Sequence, residues 1–134
     1  MTDILVSKDD GQVVTLTLND APANCLTMEM MSAIKMEIDR VSKSKDHKLV
    51  IFESSNEKIF CSGHSFNEVQ EMIKNNDMKS QELLFAECSE MLMKIRKSPK
   101  IFVAKVRGIA TAGGLGLVSI MDCVFSSKLA RFAL

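Results

Sequence analysis

Two glycine-containing segments decide how this chain folds: KIFCSGHSFN at residues 58–67 and VRGIATAGGLGL at residues 106–117. In each segment an apolar run typical of a buried strand leads into glycine. Glycine permits tight turns and lets a ligand approach the main chain closely. Two such turns, brought together, can point two backbone N–H groups at one atom, which builds an oxyanion hole from main chain alone.

Strands and helices are predicted to alternate around these segments. The predicted strands cover residues 4–6, 13–18, 48–53, 101–106 and 123–126, and another begins within 130–134; the predicted helices cover residues 27–43, 66–74, 80–97 and 112–120. Asp9-Asp10-Gly11 predicts a hairpin turn between the first two strands. Strands separated by helices favour an α/β layered fold. Because no linker or low-complexity tract interrupts the chain, residues 1–134 are expected to form one domain.

The first predicted helix is typical of an amphipathic segment with a core-facing side. Thr27 is its expected N-cap, and Ile34, Ile38 and Val41 share one face with Met30 or Met31. The methionines at positions 28, 30, 31 and 36 are expected to pack into the core. Cys88 and Cys123 are expected there as well.

The composition excludes several classes of function. Lysine plus arginine equals aspartate plus glutamate at 17 each, and the chain has no Trp or Tyr, so neither a basic face nor an aromatic platform for nucleic acid is expected. No apolar run is long enough to cross a membrane. The N-terminal residues lack the basic region of a targeting signal, and the four cysteines have no close pairing. A cytoplasmic protein with reduced thiols is therefore expected.

Three segments in register resemble the crotonase family, the enoyl-CoA hydratase/isomerase superfamily. Ala23-Asn24-Cys25-Leu26 is similar to the family's Asn-Ala-Leu turn, and residues 58–64 are similar to its Lys-x-Phe-x-Ala-Gly-Ala segment. Residues 108–114, continued through Met121-Asp122, are similar to its Gly-x-Ala-x-Gly-Gly-Gly motif and the Cys-Asp that follows it. The Ser-Gly-His version resembles one branch, the enoyl-CoA hydratase domain-containing proteins.

The resemblance implies a spiral of ββα units, of which this chain would form the N-terminal portion. It implies a lyase or isomerase of fatty acid metabolism that acts on acyl-CoA thioesters, with coenzyme A as part of the substrate, no separate cofactor and no metal. It also implies a homo-trimer or hexamer for the full-length protein.

The resemblance also assigns the site residues. The backbone N–H groups of His64 and Gly113 would form the oxyanion hole that stabilises the thioester enolate, and the His64 side chain would project near the thioester. Ser62 and the stretch Asn24, Cys25 and Leu26 would line the adenine and pantetheine path. Lys58 would lie near the CoA phosphates, where lysine acts as a flexible point charge.

Several departures from the family pattern limit what can be carried over. The position of a catalytic glutamate in hydratases is Gly116 here, and glycine cannot move a proton. The family's second acidic position lies beyond Leu134, and family members are roughly twice as long, so the chain is expected to be an N-terminal fragment or a truncated product. Ser65 and Asn67 replace the Asp and Lys of many relatives, which weakens one phosphate contact.

Three functions stay open on the sequence: an enoyl-CoA hydratase/isomerase-type enzyme, a non-catalytic CoA-thioester binding module, or an inactive fragment.

Cys61 with His64 does not make a convincing nucleophile pair because no orienting third group can be named. Zinc would need more ligands than His47 and distant cysteines supply. Glu68 and Glu71 are expected on a solvated helix face, and Asp122 is expected to be a structural hydrogen-bonding partner.

Overall fold

The computed structural model describes residues 3–134; residues 1 and 2, part of the N-terminal segment considered for targeting, lie outside the described residues. The strands are β1 (Leu5–Asp10), β2 (Val13–Leu18), β3 (Leu49–Ser54), β4 (Ile59–Cys61), β5 (Ile101–Val106), β6 (Ile109–Thr111), β7 (Cys123–Ser126) and β8 (Arg131–Ala133). The helices are α1 (Met28–Lys43), α2 (Phe66–Lys74), α3 (Met78–Lys97) and α4 (Gly113–Ser119). The predicted α/β class is confirmed.

The strands form two sheets. The larger sheet has the order β1-β2-β3-β5-β7, in which β1 is antiparallel to β2 and the other neighbours are parallel. The smaller sheet has the order β4-β6-β8 and is parallel throughout. Because β4 and β6 are parallel, the loops that follow them emerge at the same edge of the small sheet. The two glycine segments therefore meet there.

The core lies between the large sheet and the helices. Along β2 every second residue is buried, as half-buried strands require, and α1 turns Ile34, Ile38 and Val41 inward. The predicted N-cap is confirmed, because the Thr27 hydroxyl accepts the Met30 N–H at 3.1 Å. The largest fully buried side chains are Phe52, Phe60, Phe102, Leu16, Leu18, Leu26, Met30, Met31, Ile34, Ile38, Leu84 and Met91.

Several boundaries and two core assignments from the sequence were wrong. β1 runs on through Asp10, which pairs with Val13, so the hairpin turn is the two-residue loop Gly11-Gln12 with Gly11 at φ +60°. α3 begins at Met78, capped by the Asp77 carboxylate, rather than at residue 80. Met36 is 70% exposed because it lies on the outer face of α1. Cys123 is exposed on the last strand of the large sheet.

The sequence indicated an apolar, strand-like run before glycine in each segment but did not give β4 and β6 bounds of their own. Each has three residues, which is too few for an alternating pattern to be recognised. Among residues 3–134, no helix is long and apolar enough to span a membrane.

Candidate functional site

The two glycine segments are in direct contact where β4 and β6 end. Gly63 has φ +86°, and a Cβ built on it would lie 2.7 Å from the Gly113 nitrogen and 3.1 Å from the Ala112 Cβ. A side chain at position 63 would therefore be strained and would also collide with the second segment. Gly114 is as restricted, because a Cβ there would lie 2.1 Å from the Cys61 carbonyl oxygen. Glycine at both positions lets α4 begin against the end of β4.

The turn before α1 lies along the first glycine segment. The Leu26 N–H donates to the Gly63 carbonyl at 2.8 Å, and the Ser62 N–H donates to the Ala23 carbonyl at 3.1 Å. The Cys25 sulfur and the Ser62 hydroxyl are 3.4 Å apart. Three segments that are distant in sequence thus meet at one place, and six of the predicted site residues lie among them: Asn24, Cys25, Leu26, Ser62, His64 and Gly113.

The Asn24 side chain holds these segments together through hydrogen bonds. It is 1% exposed, and its amide nitrogen donates to the Phe60 carbonyl at 3.0 Å and to the Ser54 hydroxyl at 2.8 Å. Its amide oxygen accepts the Asp20 N–H at 2.7 Å. The residue also has φ +48°, a conformation that asparagine tolerates better than most residues. These bonds give the side chain a structural role, and its predicted contact with substrate stays a prediction.

The His64 and Gly113 N–H groups are the two predicted oxyanion donors. Among residues 3–134, neither N–H has a hydrogen-bond acceptor. Gly113 is the first residue of α4, where a backbone N–H has no partner within the helix. A backbone donor left without a protein partner is available to a ligand or to water.

The His64 ring is held by three different contacts. Its Nδ1 lies 3.2 Å from the Leu26 carbonyl oxygen. The Phe85 ring meets it edge-on, with centroids 5.3 Å apart and an interplanar angle of 83°. Its Cδ2 lies 3.7 Å from the position that a Cβ on Gly113 would take. Phe85 was not predicted from the sequence. It is 52% exposed on α3 and lies outside the buried face formed by Leu84, Met91 and Ile95, so no periodic pattern marked it.

Glu68 lies on the first turn of α2, four residues after His64. Its N–H donates to the Ser65 hydroxyl at 3.4 Å, but among residues 3–134 its own buried Oε2 has no hydrogen-bond partner. Burial raises the pKa of this carboxyl group, while the nearby His64 opposes that effect. The expectation of a solvated face was therefore wrong for Glu68 and right for the exposed Glu71. The Ser-x-x-Glu spacing of a capping box was the available signal.

Lys58 and Cys61 do not take part in the contacts around His64. Lys58 precedes β4, and its exposed side chain makes no hydrogen bond or ion pair with residues 3–134. Cys61 is fully buried, and burial raises the pKa of its thiol to about 12. A thiol that stays protonated is a poor nucleophile, which disfavours the Cys61–His64 pair. In the same described residues, no three His, Cys, Asp or Glu side chains are grouped to hold a metal ion.

Gly116 and Asp122 have clear environments. A Cβ on Gly116 would meet no atom within 4 Å, so the position of the family's glutamate faces open space. The Asp122 carboxylate accepts the Phe102 N–H at 2.8 Å, which confirms its structural role. A cavity of about 320 Å³ lies elsewhere, between α1 and α3, and includes Asp39, Glu90 and Lys94 in its lining. No predicted site residue lines this cavity.

Comparisons with known proteins agree with this geometry. The family model described as enoyl-CoA hydratase/isomerase matches residues 8–134. The mouse protein named enoyl-CoA hydratase domain-containing protein 3, mitochondrial, is 31% identical over 126 residues, which cover 94% of this chain and 41% of the mouse protein.

Solved structures give the same result. An enoyl-CoA hydratase from Mycobacterium smegmatis has a TM-score of 0.92 at 33% identity, covering 99% of this chain and 51% of that one. The human enoyl-CoA hydratase domain-containing protein 3 has a TM-score of 0.90 at 26% identity, and the match covers 98% of this chain and 51% of the human one.

The chain belongs to the enoyl-CoA hydratase/isomerase family. The predicted crotonase-like fold and the predicted branch are both confirmed, since the branch includes the mouse and human relatives. The chain spans about two-fifths of the length of the curated relatives it matches, and about half of the solved ones.

Proposed function

We propose that this protein binds an acyl-CoA thioester and stabilises its enolate or oxyanion through the backbone N–H groups of His64 and Gly113. The observation that carries the proposal is the contact between the glycine segments, where a Cβ at Gly63 would lie 2.7 Å from the Gly113 nitrogen. It brings two N–H groups, neither of which has an acceptor within residues 3–134, to one edge of the small sheet. A pair of such donors suits the oxygen on which charge develops when a thioester reacts.

The rest of the predicted site fits an elongated ligand. Ser62, Cys25 and the backbone of Asn24 to Leu26 lie beside the donors and would border the pantetheine path. Lys58 precedes β4 and His64 follows it, so the two residues lie beyond opposite ends of this three-residue strand, which is about 10 Å long at some 3.3 Å per residue. Coenzyme A is long enough to place its phosphates near the lysine while its thioester reaches the donors.

Thermal unfolding with and without butyryl-CoA tests the proposal. Butyryl-CoA at about 100 times its dissociation constant should add roughly 2.7 kcal/mol to the free energy of unfolding, and free coenzyme A should add less. Gly113→Pro removes one donor at the first position of α4, where proline suits a helix. Gly113→Ala is the matched control, because alanine keeps the N–H.

We expect Gly113→Pro to lose about 2.7–4 kcal/mol of transition-state stabilisation in any turnover of the thioester. Gly113→Ala should lose less transition-state stabilisation than Gly113→Pro. Cooperative melts of both variants would show that both are folded. Full turnover by a folded proline variant would contradict the oxyanion assignment. No response of the wild-type melt to butyryl-CoA would contradict thioester binding itself.

A second candidate is a binding module without catalysis. Gly116 favours it, because no side chain stands where the resemblance places a catalytic glutamate. The two candidates differ in one result: a binding module raises the melting temperature with butyryl-CoA but does not convert crotonyl-CoA or exchange the α-protons of a thioester. Trimeric or hexameric assembly and a cytoplasmic location are further proposals. Light scattering would test the first and cell imaging the second.

A further inference from the structure

The tautomer of His64 follows from its contact with Leu26. A carbonyl oxygen only accepts hydrogen bonds, so the 3.2 Å contact requires Nδ1 to carry the proton. The neutral ring then has its free electron pair on Nε2. No atom of residues 3–134 hydrogen-bonds that nitrogen. A histidine whose Nδ1–H is held by a backbone carbonyl and whose Nε2 is free has the arrangement of a general base.

The ring edge that bears Nε2 faces the second glycine segment. Cδ2, which is bonded to Nε2, lies 3.7 Å from the position of a Cβ on Gly113. Phe85 packs edge-on against the ring and restricts its rotation. The imidazole is therefore fixed beside the two backbone donors rather than extended into solvent.

Glu68 lies on the first turn of α2, just after the loop that carries His64. Its Oε2 is buried and unpaired among residues 3–134, although the Ser65–Glu68 spacing would let it cap α2 by accepting the Ser65 N–H. A buried oxygen without a partner is uncommon and is often found at sites that handle protons. It lies close enough to His64 for the ring to oppose the rise in pKa that burial causes in the Glu68 carboxyl group.

We propose that the His64 imidazole is the group that moves the α-proton of the bound thioester, with Glu68, on the first turn of α2, as the neighbouring carboxyl group that assists it. The α-carbon–hydrogen bond breaks, its electron pair enters the new carbon–carbon double bond, and the thioester oxygen takes the negative charge. The proton forms a bond to Nε2 and returns to carbon in the reverse step. This role replaces the carboxylate that Gly116 lacks, and it rests on the proposed thioester site.

Exchange of the α-protons of butyryl-CoA in D₂O, followed by mass spectrometry, tests this step on the 134-residue protein. His64→Phe keeps the backbone N–H and the aromatic packing but cannot carry a proton. We expect it to bind butyryl-CoA as the wild type does and to exchange at least about 100-fold more slowly, the usual contribution of a general base. His64→Ala should lose exchange as well and regain part of it when free imidazole is added. A merely structural histidine would not give that rescue.

Glu68→Gln tests the partner while keeping the shape and capping ability of the side chain. We expect unchanged binding and melting temperature, with a loss of exchange smaller than that of His64→Phe. If folded His64→Phe exchanged the α-protons as fast as the wild type, the proposal would be overturned. If the wild type bound butyryl-CoA without exchanging its α-protons, the proposal would also be overturned, and only the binding function would remain. A wild type that neither binds nor exchanges would overturn the proposed function together with this inference.

Discussion

At the scale of single residues, backbone strain gathers at the candidate site. Five residues within 3–134 have positive φ, and three of them lie where the segments meet: Asn24 (+48°), Gly63 (+86°) and Ala112 (+50°). For asparagine and alanine such conformations cost free energy and persist where the surrounding structure holds them in place, whereas glycine adopts them readily. The hydrogen bonds of Asn24 and the packing of Gly63 provide that support.

Asn24 gives the first prediction. Asn24→Ala removes the donor to the Phe60 carbonyl and leaves that buried group unpaired. We expect it to lower the free energy of unfolding by about 1–3 kcal/mol more than Asn76→Ala does. Asn76 is the matched control because it has φ +50° but is exposed, so both variants pay the same backbone penalty. Urea unfolding measures the difference, and equal losses would show that the bonds of Asn24 contribute little.

The sequence predicted the backbone parts of the site better than its side-chain parts. Gly63 and Gly114 were recognisable because few residues other than glycine tolerate such turns and contacts. Phe85 and the burial of Glu68 were not, since both depend on how α2 and α3 pack near His64. That packing is a tertiary property that no local pattern records.

At the scale of elements, α4 contains three glycines in different environments. A Cβ on Gly114 would overlap the Cys61 carbonyl, whereas a Cβ on Gly116 would meet open space. The sequence pattern Gly-Gly-x-Gly does not distinguish these positions. Only the packing of the helix on β4 does.

The second prediction follows from this difference. Gly116→Glu should raise the free energy of unfolding by about 0.5–1 kcal/mol, because glycine is unfavourable inside a helix and the new side chain meets no obstacle. Gly114→Ala should instead destabilise the protein, since α4 or β4 must move. Thermal unfolding compares the two, and a destabilised Gly116→Glu would mean that the open space is needed for folding.

Element prediction succeeded where periodicity was long and failed where it was short. The first helix and the second strand were predicted at or close to their observed limits because their apolar residues repeat over several turns or alternations. β4 and β6 were not given bounds of their own because their identity depends on pairing with each other, across some fifty residues of chain.

At the scale of the whole molecule, apolar side chains are exposed along the last eleven residues. Phe125 is 63% exposed, Leu129 77% and Phe132 44%, and β7 is the edge strand of the large sheet. Exposed edges and apolar patches favour association. The exposed apolar side chains of the last eleven residues therefore form a surface that can associate with another chain.

The third prediction concerns solubility. Phe125→Lys combined with Leu129→Lys should reduce the concentration-dependent association of the 134-residue protein, because charge at a sheet edge opposes edge-to-edge pairing. Met36→Lys is the control, since Met36 is 70% exposed on α1, away from this surface. Sedimentation velocity at several concentrations measures the effect. Equal behaviour of the two variants would place the association elsewhere.

The parallel pairing of β4 with β6 has a consequence for how such a protein changes over time. Their register fixes the distance between the two turns by main-chain hydrogen bonds, which every amino acid except proline can donate. Substitutions on the surrounding helices can then change the reaction of a bound molecule, while the backbone N–H groups that hold it stay in place. Gly116 and the His64 side chain both lie outside the β4–β6 pairing, so a change at either position leaves that frame in place.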